Sequence, residues 1–109
     1  MDISIIIPVL DERESLPSLF KELDQNLVQF SKSEVIFIDD GSSDDSSDII
    51  QTQCEKDSKY KLICFFRNFG KSAALAEGFK LASGSYVMTM DADLQDNPAE
   101  IPNFIAKLE

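Results

Sequence analysis

Two aspartates separated by one residue, Asp91 and Asp93 about Ala92, follow directly on the apolar run at residues 86–90. In an extended backbone, residues i and i+2 face the same way. The spacing therefore aims both carboxylates at one spot, where a buried strand gives out. Like charges held that close repel. A hard divalent cation such as Mg²⁺ or Mn²⁺ relieves the repulsion, oxygen donors suit it, and it keeps positions open for phosphate oxygens. A D-x-D pair can equally well do no more than cap the next helix, so the rest of the chain has to decide.

Other polar residues fall at matching places. Asp11 and Glu12 follow the apolar run 4–8, Asp39 and Asp40 follow 35–38, Arg67 follows 62–66, and Gln95 stands two residues beyond Asp93. The segment Pro8-Val9-Leu10 can offer backbone groups and apolar contact to a planar base. Asp40 can accept a hydrogen bond from a base N–H, as ionised carboxylates do well. Asp39 reads as structural, paired with loop amides. Arg67 suits a diphosphate bidentately, or an ion pair at a helix end. Lys71 opens a helix, whose start favours anions, and is either a phosphate ligand or a solvated lysine.

The elements that would position these groups alternate regularly. The run 4–8 reads as a strand buried on both faces and 35–38 as a second buried strand, with 62–66 and 86–90 as the third and fourth strands. Leu16, Leu19, Phe20, Leu23, Leu27 and Phe30 recur at helical spacing, with Pro17 at the start. A shorter helix passes through Ile49, Ile50 and Cys54. A third spans about 71–82, with Ala74, Leu75, Gly78 and Phe79 inward. Pro98 opens a last one, with Ile101, Phe104, Ile105 and Leu108 on one stripe. Strands alternating with helices imply βαβ units, and right-handed crossovers favour a doubly wound, mainly parallel, Rossmann-like sheet of order 3-2-1-4. In such a sheet ligands bind outside the carboxyl ends of the strands, where strand order reverses. The polar residues collect there, which favours the metal reading of Asp91 and Asp93.

Composition narrows the classes. The 109 residues suffice for one domain. A net charge of −10 argues against a nucleic-acid-binding face and against docking on anionic lipid. The chain contains no histidine, which removes imidazole acid–base and ligand chemistry. Cys54 and Cys64 match no zinc pattern and read as buried reduced thiols. No apolar stretch has the length of a membrane span and no signal peptide opens the chain, so a cytoplasmic location is expected.

Four motifs in order, SIIIPVLDERESL, VIFIDDGSSDDS, RNFGKSAALAEGFKLASG and YVMTMDADLQDNP, resemble the amino-terminal half of inverting family 2 glycosyltransferases of GT-A fold. The DADLQD segment with its following proline is most similar to that of the polyprenyl-phosphate sugar synthases. The resemblance implies transfer of a sugar from a UDP or GDP donor to a lipid phosphate, with Mg²⁺ or Mn²⁺ as cofactor. It implies that Pro8, Leu10 and Glu12 line the nucleotide, with Ile38 and Asp40 at the base. Asp91, Ala92 and Asp93 would hold metal and diphosphate, with Gln95 as a further ligand. Leu10 stands where such synthases often carry an aromatic residue, and Asn97 where a proline is common.

The resemblance covers residues 1–109 as a nucleotide-sugar-binding part that stops before the acceptor-binding half. The chain ends within an amphipathic helix that shows no stop signal. Donor binding without turnover, and self-association through apolar surface left on the fourth strand and last helix, are the expectations for these residues. For the full-length protein, association with the cytoplasmic face of a membrane is expected. A sugar hydroxyl as acceptor, in polysaccharide or cell-wall synthesis, is the alternative within the family; no residue here is assignable as its base. Outside it stands a phosphoacceptor signalling domain, disfavoured because the third strand ends in Arg67 rather than an acceptor aspartate. A non-catalytic module of the same fold is the third reading.

Overall fold

The computed structural model describes residues 2–93 and 97–108. Its elements follow in the order β1 (Asp2–Val9), α1 (Leu16–Leu27), β2 (Lys32–Asp39), α2 (Ser46–Lys56), β3 (Tyr60–Cys64), α3 (Lys71–Leu81), β4 (Tyr86–Thr89), a 3₁₀ turn at Pro98–Glu100 and α4 (Ile101–Leu108). The strands form one parallel sheet of order β3-β2-β1-β4, as the crossover rules require. The chain winds outward from β1 to β3, then returns through α3 to place β4 on the other side of β1. All four strands point their carboxyl ends at one rim, and strand order reverses between β1 and β4.

Residue alternation along the central strands explains how both faces are covered. Ile3, Ile5, Ile7 and Val9 of β1 join Val35 and Phe37 of β2 in a core with Leu16, Leu19, Phe20 and Leu23 of α1, Ile50 of α2, and Ile101 and Ile105 of α4. Ile6, Ile36 and Ile38 point the other way, against Ala74 of α3. From residue 3 to 7 in β1 and from 34 to 39 in β2, side chains on both faces are essentially removed from water. Each such aliphatic side chain contributes about 1.5–3 kcal/mol.

α3 lies close to the sheet because residue 78 lacks a side chain. A Cβ there would overlap Ile6 and sit 3.0 Å from Ile38 Cδ1. This narrow contact corrects the broader inner face expected for the helix. Ala74 and Gly78 are buried, Leu75 is half-buried, and Phe79 is 53% exposed. β3 also differs from expectation, ending at Cys64 instead of residue 66. Its partner β2 runs out, with Asp39 opposite Cys64, and only the Phe65 amide, 2.8 Å from the Asp39 carbonyl, extends the ladder. Phe66 therefore falls in solvent. Cys64, on this edge strand, is exposed and Cys54 half-buried, so neither thiol is the fully buried one expected.

The opposite rim is tied by Glu34, whose side chain lies in the bottom of the sheet. Its carboxylate accepts from the Ser4 hydroxyl at 2.5 Å, the Lys61 ammonium at 2.6 Å, and the Ser83 amide at 2.7 Å. Ser4 in turn accepts from the Gly84 amide at 2.8 Å. β1, β2, β3 and the α3–β4 turn thus meet at one charge. Burial alone would push this carboxyl up, but the hydrogen bonds from Lys61, Ser4 and Ser83 outweigh it and bring it from 4.5 down to about 2. Because the folded value is the lower one, this stabilisation is complete above pH 4.5 and is lost as pH falls toward 2. Glu34→Gln should cost about 2 kcal/mol at pH 7, allowing for solvent at Lys61. Urea denaturation across this range should show the gap between variant and wild type closing as pH falls; a gap independent of pH would contradict the assignment.

Candidate functional site

At the rim where strand order reverses, four segments enclose a cavity of about 450 Å³, within the usual size of a small-molecule site. Pro8, Val9, Leu10 and Glu12 come from the exit of β1 and Asp40 from the end of β2. Asn68, Gly70 and Lys71 come from the start of α3, and Asp91, Ala92 and Asp93 from the exit of β4. Eight of the residues singled out from sequence therefore share one cavity: Pro8, Leu10, Glu12, Asp40, Lys71, Asp91, Ala92 and Asp93.

Two others are not brought there. Ile38 is fully buried in the layer beneath α3, because its parity along β2 turns the side chain into the core. Arg67 lies outside the lining. Its guanidinium sits 4.8 Å from the centre of the Phe69 ring and 5.6 Å from that of Phe66, a cation–π arrangement at the end of β3. Gln95 is outside the described residues.

Each loop is held by hydrogen bonds that the spacing of residues did not disclose. Asp40, almost wholly buried, has the same parity as Ile38 and so leans toward α3. Its carboxylate accepts from the Phe69 amide at 2.8 Å, the Gly70 amide at 3.1 Å and the Asn68 side chain at 3.2 Å. The protein partners of this carboxylate thus come from the loop that starts α3. Asp39 has the opposite parity and accepts from the Ser42 amide at 3.1 Å, the structural role expected of it. Just after them Gly41, at φ +80, runs so close to the next loop that a Cβ would come within 2.5 Å of the Arg67 and Asn68 backbone. Only glycine fits there.

Asp11, at φ 53, stitches the β1 exit to the β2 exit. Its amide donates to the Ser42 hydroxyl at 2.9 Å and its carboxylate accepts from the Ser43 amide at 2.7 Å. Aspartate is one of the few residues with a side chain that tolerates this conformation.

The acidic pair is positioned differently from the expected strand alternation. β4 ends at Thr89, and Asp91-Ala92-Asp93 has already left the sheet as a turn. What fixes it is Ser15, the residue before α1, whose hydroxyl donates to the Ala92 carbonyl at 2.8 Å. Buried Ala92 packs in the main core between half-buried Asp91 and exposed Asp93. Sequence patterning did not single out Ser15, whose partner lies 77 residues away. Opposite the turn, the Lys71 ammonium contacts Asp91 Oδ1 at 2.7 Å. Hard oxygen donors of this kind suit Mg²⁺ or Mn²⁺, which commonly takes one or two protein carboxylates and completes its shell with phosphate and water. Asp91 and Asp93 would supply such donors to an ion that a phosphate ligand also held; among the described residues no group of three or more potential metal-binding side chains forms.

A doubly wound parallel sheet with a loop-lined cavity at its switch point defines a ligand-binding α/β domain. The sequence model of glycosyl transferase family 2 matches residues 4–109, and the chain belongs to that family. The undecaprenyl-phosphate 4-deoxy-4-formamido-L-arabinose transferase of Pseudomonas syringae pv. syringae is 42% identical over 109 residues, covering 98% of this chain and 32% of the relative. The chain thus spans about a third of the length of the curated relatives it matches. Among solved structures, residues 1–349 of S. aureus TarS superimpose with a TM-score of 0.82 at 22% identity, over 97% of this chain and 32% of that one. Glucosyl-3-phosphoglycerate synthase from Mycobacterium tuberculosis, in complex with Mn²⁺, UDP and glucosyl-3-phosphoglycerate, gives 0.75 at 24% identity, over 98% and 39%. The fold is that of the GT-A glycosyltransferases, and the family match sets aside the phosphoacceptor reading.

If the Asp40 carboxylate organises the cavity, Asp40→Asn places an amide donor against the Phe69 and Gly70 N–H groups and should cost about 2 kcal/mol. Hydrogen exchange should show protection falling at residues 68–72 while the β1 amides stay protected. Unchanged exchange at Phe69 and Gly70 would rule the role out.

Proposed function

We propose that this chain forms the donor-binding half of a metal-dependent, inverting glycosyltransferase that moves a sugar from a nucleoside diphosphate to a polyprenyl phosphate. The observation that carries the reading is the meeting of Asp91 and Asp93 with Lys71 and the Asp40-bound loop around one cavity. The name of the 42%-identical relative supports the acceptor class, and the Mn²⁺ and UDP in the mycobacterial neighbour support the donor and cofactor.

In this reading the base lies along Pro8-Val9-Leu10, where apolar contact and backbone groups are available, and exposed Leu10 forms a flexible wall. Asp91 and Asp93 hold the cation, with Gln95 proposed as a further ligand. The bound cation supplies charge neutralisation for the departing diphosphate. A phosphate oxygen of the lipid attacks the anomeric carbon, the bond from that carbon to the diphosphate oxygen breaks, and the configuration inverts. The nucleophile is already ionised, so no side chain has to take a proton from it. The site residues here bind and orient the donor; acceptor recognition is assigned to other parts of the longer proteins, so binding without turnover is expected of these residues. Among the described residues no helix is long and apolar enough to cross a membrane.

Calorimetry should show UDP or GDP binding that requires Mn²⁺ or Mg²⁺ and is weakened more than tenfold by Asp93→Ala. Retention of wild-type affinity in that variant would count against the site. The outer edge of β4 and the exposed side chains of Val87 and Phe104 support self-association of these residues. Sedimentation velocity should reveal concentration-dependent dimers, and a strict monomer at high concentration would exclude them.

A further inference from the structure

Lys71 is the one basic side chain among the described residues lining the cavity, against the carboxylates of Glu12, Asp40, Asp91 and Asp93. A diphosphate entering so acidic a space meets repulsion from every side but one. Yet that single ammonium is engaged with Asp91, at 2.7 Å. The same carboxylate is the one the donor-binding reading gives to a divalent cation.

The geometry points to Lys71 as an exchangeable counter-cation: it holds Asp91 while the metal site is empty, yields it when a divalent cation binds, and turns its ammonium to the donor diphosphate. This rests on the function proposed above and adds a coupling to it.

Three observations make the exchange physically reasonable. The lysine backbone is fixed, because Asp40 grips the amides of Phe69 and Gly70 just before it and Gly78 seats α3 against Ile6 and Ile38. The pair lies in water, the Lys71 side chain being 62% exposed beside an Asp91 side chain that is 41% exposed. A pair so open to water holds its partner only about two- to fivefold, whereas a divalent ion at the same oxygen gains twice the charge. Lysine then acts on phosphate as a compact point charge. Releasing it at the moment of metal binding makes each ligand favour the other, and the two must favour each other by the same factor.

The test compares the wild-type chain with Lys71→Ala and with Lys71→Met, which keeps the aliphatic stem. Mn²⁺ alone, followed by electron paramagnetic resonance, should bind about threefold tighter to both variants, since a competing cation is gone. Whichever of UDP and GDP binds the wild type should, at saturating Mn²⁺, bind both variants about tenfold more weakly. The two shifts have opposite signs, which a merely structural lysine would not produce. Shifts of the same sign, or no change in Mn²⁺ affinity, overturn the exchange while leaving the donor site intact. Failure of the wild type itself to bind Mn²⁺ with either nucleotide overturns the proposed function instead.

Discussion

At the end of β2 one nearly buried carboxylate, that of Asp40, is satisfied almost entirely by the loop that begins α3. A buried charge of this kind is tolerable only when donors surround it, and here the donors belong to a segment 28–30 residues further along the chain. The bond set therefore decides where α3 starts, and with it where Lys71 stands. It also requires Gly41, since no side chain fits where the two loops cross. Without this constraint the sheet would still form, but the cavity at its rim would lose a wall.

A second charge plays the corresponding part at the far rim. Glu34 gathers β1, β3 and the α3–β4 turn, so β4 arrives in register with β1. The fold thus uses two carboxylates as clamps, one at each end of the sheet, and sets half-buried Asp91 and exposed Asp93 at the cavity. Their burial separates these uses. Asp40 and Glu34 are removed from water and surrounded by donors, whereas Asp91 and Asp93 face an open cavity.

Much of this was legible in residue patterns. Continuous apolar runs marked β1 and β2 as buried on both faces, and the alternation of strands with helices led to the sheet order and to a polar rim. Parity gave less than expected. In the structure it separates Asp39 and Asp40 and carries Ile38 into the core, but it does not govern Asp91 and Asp93, which sit in a turn. The Ser15–Ala92 tether, the Asp40 loop and the Lys71–Asp91 pair were not legible, because each depends on how distant loops meet. Arg67 was misplaced for a related reason: β3 stops when its partner does, two residues earlier than its apolar run suggests, and the arginine lands among Phe66 and Phe69.

The tether from Ser15 to Ala92 spans 77 residues of sequence, and the contact of Ser4 with Gly84 spans 80. Closing such long loops carries an entropic cost that only a largely assembled sheet can offset. The acidic turn is therefore held by a contact that depends on the assembled sheet beneath it. Its local opening is correspondingly cheaper than global unfolding, so the rim can breathe while the hydrophobic layers beneath it remain closed.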